Sequence, residues 1–229
     1  MKRLADAKHV FLDAGGVILD EQEHEIARAA IIVDVLANID FSFSLELYWR
    51  DVDEAVFRFV PSVYDYILWK HTGEGSLYNS VRAEFARRWN LGTPSLKLIP
   101  DLDRILPELS QKFRIGILGQ YGEELRKLLC EKLLLEYFSF QETQEKYQLT
   151  KPDPRYFDQI LRHAGVEASE SVMVGDRSDK DIIAAKAVGM KRIRHLHGMH
   201  KLQKSRTADE EPDAEIRTIR ELREVLLEN

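Results

Sequence analysis

Short apolar runs that end in an acid or a glycine alternate, along part of this chain, with stripes at helical spacing. The first run, His9-Val10-Phe11-Leu12, stops at Asp13 and is followed by Ala14-Gly15-Gly16-Val17-Ile18-Leu19-Asp20. Residues 9–13 are expected to form the first strand. After Asp20 the period changes to that of a helix. Ile26, Ala30, Val33, Leu36 and Ala37 make one stripe, Tyr48, Val52, Ala55, Val56 and Phe59 a second, and Tyr78, Val81, Phe85 and Trp89 a third. Pro61, Gly73 and Gly75 punctuate them. Residues 20–95 are therefore expected to be all-helical. Trp49, Trp69 and Trp89 all fall there and read as helix-bundle core rather than a stacking platform.

From about residue 100 the two periods alternate. The pattern predicts a helix over 102–112, a strand over 114–119, a helix over 123–135 and a short β-like piece over 137–141. Asp153 is an N-cap candidate with Pro154 at the first helical position, and Gly165 is a helix stop. A strand over 171–176 ends in Asp176. A helix runs from about 180 to Gly189, and 191–194 reads as a last strand. Residues 198–215 are polar and read as an exposed loop, before a closing helix that offers Ile216, Ile219, Leu222 and Leu226 to the core. This alternation predicts an α/β fold: a Rossmann-like parallel sheet with helices on both faces. Residues 1–19 and 96–229 form that core, and 20–95 is a helical domain inserted after the first strand.

An isolated buried charge is costly, and ligands of open α/β sheets bind at the carboxyl ends of the strands. Asp13 thus reads either as chemistry on a rigid platform or as a strand-terminal acid capping the next turn. Asp176 ends a second strand, with Asp179 and Asp181 after it, and Lys151 opens Lys151-Pro152-Asp153-Pro154. In a parallel sheet these ends face one edge, so the acids and the lysine can converge. Clustered carboxylates repel each other; Mg²⁺ suits a site of few carboxylates plus a substrate phosphate. Bland readings remain beside these: Lys151 as a surface lysine, and Asp181 as a favourable charge in a helix's first turn.

Bulk properties narrow the classes. The chain has 229 residues, 44% hydrophobic and 31% charged, with a net charge of -6. That composition is globular and, lacking a basic patch with interleaved aromatics, argues against a nucleic-acid partner. The single cysteine, Cys130, reads as a small helix residue and fits a cytoplasmic compartment. Residues 1–8 lack the apolar stretch of a signal peptide, and no apolar run is long enough for a membrane span.

The motifs resemble those of the haloacid dehalogenase-like hydrolases, in the subgroup whose helical cap follows the first strand. Phe11-Leu12-Asp13-Ala14-Gly15-Gly16-Val17 matches the first motif, Lys151-Pro152-Asp153-Pro154-Arg155-Tyr156-Phe157 the third, and Val174-Gly175-Asp176-Arg177-Ser178-Asp179-Lys180-Asp181-Ile182 the fourth. The resemblance implies a Mg²⁺-dependent phosphatase of a small phosphorylated metabolite. Asp13 is then the nucleophile and Lys151 holds the phosphoryl group. Asp13, the Gly15 carbonyl and Asp176 bind the metal, with Asp181 supporting its shell. A helical cap that closes over the site and excludes water is implied as well.

Two positions depart from the family pattern. Gly15 stands where phosphatases carry a general-acid Asp. Gly119 and Gln120 stand where a hydroxyl residue and Asn bind the phosphate, leaving backbone N–H groups of Gly119 or Gln120 as donors. His24 is a candidate substitute acid, against the reading of an exposed helix residue. A metal-free dehalogenase on the same fold, and a binding or regulatory protein with a decayed site, remain as alternatives. A phospho-accepting receiver domain shares the acids and lysine but lacks the long helical insertion. The substrate and the oligomeric state stay open.

Overall fold

The computed structural model describes residues 4–39, 42–119, 122–143 and 148–228. The chain divides into two compact units, Met1–Asp20 with Leu96–Asn229, and Glu21–Ser95.

The first unit is built on six parallel strands: β1 His9–Leu12, β4 Arg114–Gly119, β5 Phe138–Thr143, β6 Ser171–Gly175, β7 Lys191–His195 and β8 Ala214–Ile216. Their order is β5-β4-β1-β6-β7-β8. Alternate residues face opposite sides of a strand, and the two buried clusters follow that period. Val10, Leu12, Ile115, Ile117, Val172, Val174 and Ile193 join one cluster. On that side pack α5 (Leu102–Ser110), α6 (Glu123–Glu131) and α9 (Leu222–Leu226). Phe11, Leu118 and Met173 join the other, with α7 (Pro154–Ala164) and α8 (Ile183–Ala187). Burial on both faces explains why the strands read as apolar runs. The chain moves outward from β1 through β4 to β5, then returns to β6 on the far side of β1. Strand order therefore reverses at β1, where open α/β sheets bind ligands.

Two-residue strands β2 (Leu19–Asp20) and β3 (Lys97–Leu98) pair antiparallel. They are too short to leave a periodic signal. The C-terminal region corrects the expected exposed loop over 198–215. It holds a 3₁₀ turn, Met199–Leu202, and β8, and it buries His200, Gln203 and Glu210. The Glu210 carboxylate accepts from the Arg206 backbone N–H at 2.7 Å, and such pairing lets a charge leave water. The helix expected over 123–135 stops at Glu131, and Leu133 takes a positive φ of 57°. The closing helix is shorter than expected: Ile216 ends β8, and Ile219, Leu222 and Leu226 are buried from a 3₁₀ turn and α9.

The second unit contains α1 (Gln22–Ala37), α2 (Leu45–Phe57), α3 (Val63–Thr72) and α4 (Ser76–Gly92). Ser44 and Ser62 cap α2 and α3 by accepting from the Leu47 and Asp65 N–H groups. The face of α1 differs from expectation. It buries His24, Glu25, Ala29, Ile32, Val35 and Leu36, while Ile26 is exposed. The tryptophans also depart from a core role, since Trp49 and Trp69 are 37% and 46% exposed. Tyr48 of α2 is fully buried instead, and Trp49 packs edge-on against it at 5.1 Å. Among the described residues no helix is long and apolar enough to cross a membrane.

Candidate active site

Asp13 leaves β1 at the reversal of strand order. Its N–H donates to the Val174 carbonyl at 2.9 Å, so the β1–β6 ladder still holds its backbone. Asp176 follows directly on β6, the neighbouring strand. Asp181 lies in a π-helical turn, Ser178–Ile182, a form frequent at functional sites. Its Oδ2 accepts from the Arg177 backbone N–H at 3.1 Å. Lys151 precedes α7, whose start is fixed by the Asp153 cap and by Pro154 in the first turn.

These elements bring four of the expected residues together. Lys151 Nζ lies 2.7 Å from Asp13 Oδ1 and 2.6 Å from Asp181 Oδ1. One ligand oxygen from each of Asp13, Asp176 and Asp181 lies within 4.8 Å of the others. Lys151 is not a surface lysine, its side chain being 9% exposed; Asp181 does lie in the first turn of its helical segment, but it is buried and paired with Lys151. Asp179 is paired with Arg177 (2.7 Å) and accepts from Gln203 (3.2 Å).

Electrostatics follow from this packing. Burial raises the Asp13 carboxyl to about 6; the Lys151 ammonium opposes that rise and Asp181 adds to it. Burial by itself would lower Lys151, but Asp13 and Asp181 outweigh it and hold the amine charged. Lys151 thus bridges two of three clustered carboxylates in a poorly solvated place. All three offer hard oxygen ligands, which suits a divalent cation of the Mg²⁺ class.

The turn after Asp13 is tight. Gly16 takes the left-handed conformation (φ 67°), and a Cβ there would meet Asp176 Cγ and Oδ2 at 3.0 Å. Gly15 is not among the positive-φ residues. Gly119 closes the other side: a Cβ there would sit 2.2 Å from Asp13 Oδ1. The Asp13 carboxylate thus occupies the space that a side chain at 119 would need. Gln120 lies outside the described residues.

In the helical unit, His24 is buried, not exposed as expected, and its ring lies 5.6 Å from that of Trp89. The Arg28 guanidinium stacks on Trp89 at 4.4 Å and binds Glu25 at 2.6 Å. Arg50 and Arg58 are exposed on and just past α2. The signal that marked Asp13, a polar residue at the end of a buried strand, also marks His195 at the end of β7, which the motif reading leaves aside.

A family model described as haloacid dehalogenase-like hydrolase matches residues 53–195. The chain is 31% identical over 212 residues to a glyceraldehyde 3-phosphate phosphatase of Methanopyrus kandleri, covering 89% of each chain. Among solved structures it is similar to a HAD phosphatase from Thermococcus onnurineus, at 26% identity and a TM-score of 0.60, covering 95% of this chain and 97% of that one. The HAD-hydrolase YfnB of Bacillus subtilis, solved with magnesium bound, shares the fold: TM-score 0.66 at 18% identity, covering 99% and 100%.

Proposed function

Because the chain belongs to the haloacid dehalogenase-like hydrolases, we propose that it is a Mg²⁺-dependent phosphatase of a small phosphorylated metabolite, in which Glu21–Ser95 serves as the cap. The observation that carries this reading is the Lys151 ammonium bridging Asp13 and Asp181 beside Asp176. A free Asp13 oxygen attacks phosphorus as the bond to the leaving oxygen breaks, giving an aspartyl-phosphate. Lys151 keeps Asp13 ionised and neutralises a phosphoryl oxygen. Water then attacks phosphorus, the bond to Asp13 breaks, inorganic phosphate leaves, and the carboxylate is restored. Asp13, Asp176 and the Gly15 carbonyl would hold the magnesium ion, with Asp181 behind them, and the ion supplies positive charge to the phosphoryl oxygens. Backbone N–H groups at Gly119 and Gln120 are the proposed phosphate donors.

The test is hydrolysis across a panel of small phosphate esters, headed by glyceraldehyde 3-phosphate, with and without Mg²⁺. Excess chelator is expected to stop turnover, and Asp176→Ala to raise the Mg²⁺ requirement by at least about tenfold. Full activity in chelator on a halo-acid, with none on phosphates, would favour the metal-free dehalogenase.

Gly119→Ala is expected to lower turnover on the order of 10²-fold, because the methyl group displaces Asp13 from Lys151. Steady-state kinetics decide the matter. An alanine variant as fast as wild type would mean that Asp13 reacts from a different rotamer.

A further inference from the structure

We infer that His195 is a positioning residue for this reaction: it holds the Gly16 carbonyl and so fixes the turn that presents Asp13 and the Gly15 carbonyl. The inference rests on the phosphatase reading above. His195 is 1% exposed and ends β7. In the sheet register Arg194 lies opposite Gly175, so His195 follows at the edge where Asp176 leaves β6. Its Nδ1 is 2.7 Å from the Gly16 oxygen. A carbonyl can only accept, so Nδ1 carries the proton and donates.

Other bonds hold the turn from within and, at its far end, from Ile99, whose N–H donates to the Ile18 carbonyl at 2.9 Å. Gly16 N–H donates to the Leu19 carbonyl at 3.1 Å, and the Ile18 and Leu19 N–H groups donate to the Ala14 carbonyl at 3.1 and 2.8 Å. The Gly16 carbonyl is held from a different strand. The Asp176 carboxylate fills the space that a Cβ at Gly16 would need, 3.0 Å from that position. Both Asp176 and His195 thus pack against Gly16. Glycine in the left-handed region resists rotation weakly, so the external bond sets the peptide plane. The Gly15 carbonyl shares its peptide plane with the Gly16 N–H, so it is set jointly by the Gly16–Leu19 bond and by the Gly16 conformation that the His195 bond holds. The imidazole is itself braced. The His197 ring stacks on it at 5.2 Å and 15°, and His197 Nε2 lies 3.5 Å from Asp20 Oδ1 at the far end of the same turn. Losing a group that orients metal ligands typically costs about 10–100-fold in metal affinity.

The experiment compares His195→Asn, whose side-chain N–H can take the place of Nδ1–H, with His195→Leu, which fills similar volume without a donor. Mg²⁺ binding is measured by calorimetry without substrate, beside melting in chelator and the split of kcat from KM. His195→Leu is expected to weaken Mg²⁺ about 10–100-fold and to lower kcat with KM little changed. His195→Asn is expected to stay near wild type in both. A merely structural role would lower the melting temperature in chelator and leave Mg²⁺ affinity unmoved. If His195→Leu does not fold, His195→Gln takes its place, with the donor one bond too far; equal Mg²⁺ affinity in the Asn and Gln variants overturns the inference. Wild-type Mg²⁺ affinity in His195→Leu also overturns it, and if phosphate-ester hydrolysis is intact the phosphatase reading survives. A wild-type protein that binds no Mg²⁺ overturns both.

Discussion

Asp13→Asn is expected to abolish phosphate-ester hydrolysis and, in chelator at neutral pH, to melt above the wild type. The first effect follows from chemistry, since a neutral amide is no nucleophile toward phosphorus. The second follows from burial. Asp13 is pushed to about 6 from an ordinary 3.8, because the fold disfavours its charge. A group whose folded pKa is raised binds more protons folded than unfolded between those values, so its contribution is fully present below about pH 4 and is lost as pH rises through 6. Two units correspond to roughly 3 kcal/mol. That value already includes the Lys151 attraction, which the variant loses as well. A net gain of about 1–3 kcal/mol, or a few degrees, is expected above pH 6, shrinking to nothing near pH 4. Mg²⁺ should narrow the gap by stabilising only the wild type. Residual turnover near wild type would sink the covalent mechanism. A variant that melts lower at pH 7 would show that the Lys151 attraction outweighs the burial of Asp13.

Rates should also depend steeply on the leaving group. Gly15 supplies no acid where family phosphatases place one, so the departing oxygen must carry its own negative charge. Aryl phosphates, with weakly basic leaving groups, should react far faster than alkyl phosphates. Gly15→Asp should restore the acid and speed alkyl substrates most, by up to about 10²–10⁴-fold. Gly15 is not a positive-φ residue, whereas its neighbour Gly16 is, so the backbone at 15 does not forbid a side chain. The measurement is log kcat/KM against leaving-group pKa for both proteins. A flat line in the wild type would mean that another residue already donates the proton. His24 is the first to examine, buried beside Trp89 rather than exposed.

These two expectations draw on different levels of the molecule. The strand cores and their terminal acids were legible in sequence because both-face burial writes continuous apolar runs, and a charge ending such a run stands out. Asp13 and Asp176 could be named from local pattern, as could the Asp153–Pro154 helix start and the Gly165 stop, while the family motifs singled out Lys151 and Asp181. Helical spacing marked α1 but misplaced its buried face. A 16-residue helix with a weak stripe can turn either side inward, and packing chose His24, Glu25 and Ala29 over Ile26. Tertiary structure alone decided the distances. Lys151 bridges to Asp181, 30 residues away, because β6 and the loop before α7 end at the same edge. Gly119 is tied to Asp13 by proximity that no local signal encodes. His195 reaches Gly16 across 179 residues. Sequence records which groups each strand end carries, since periodicity and charge are local; which of them meet depends on strand order and register, which are set only when the whole sheet assembles.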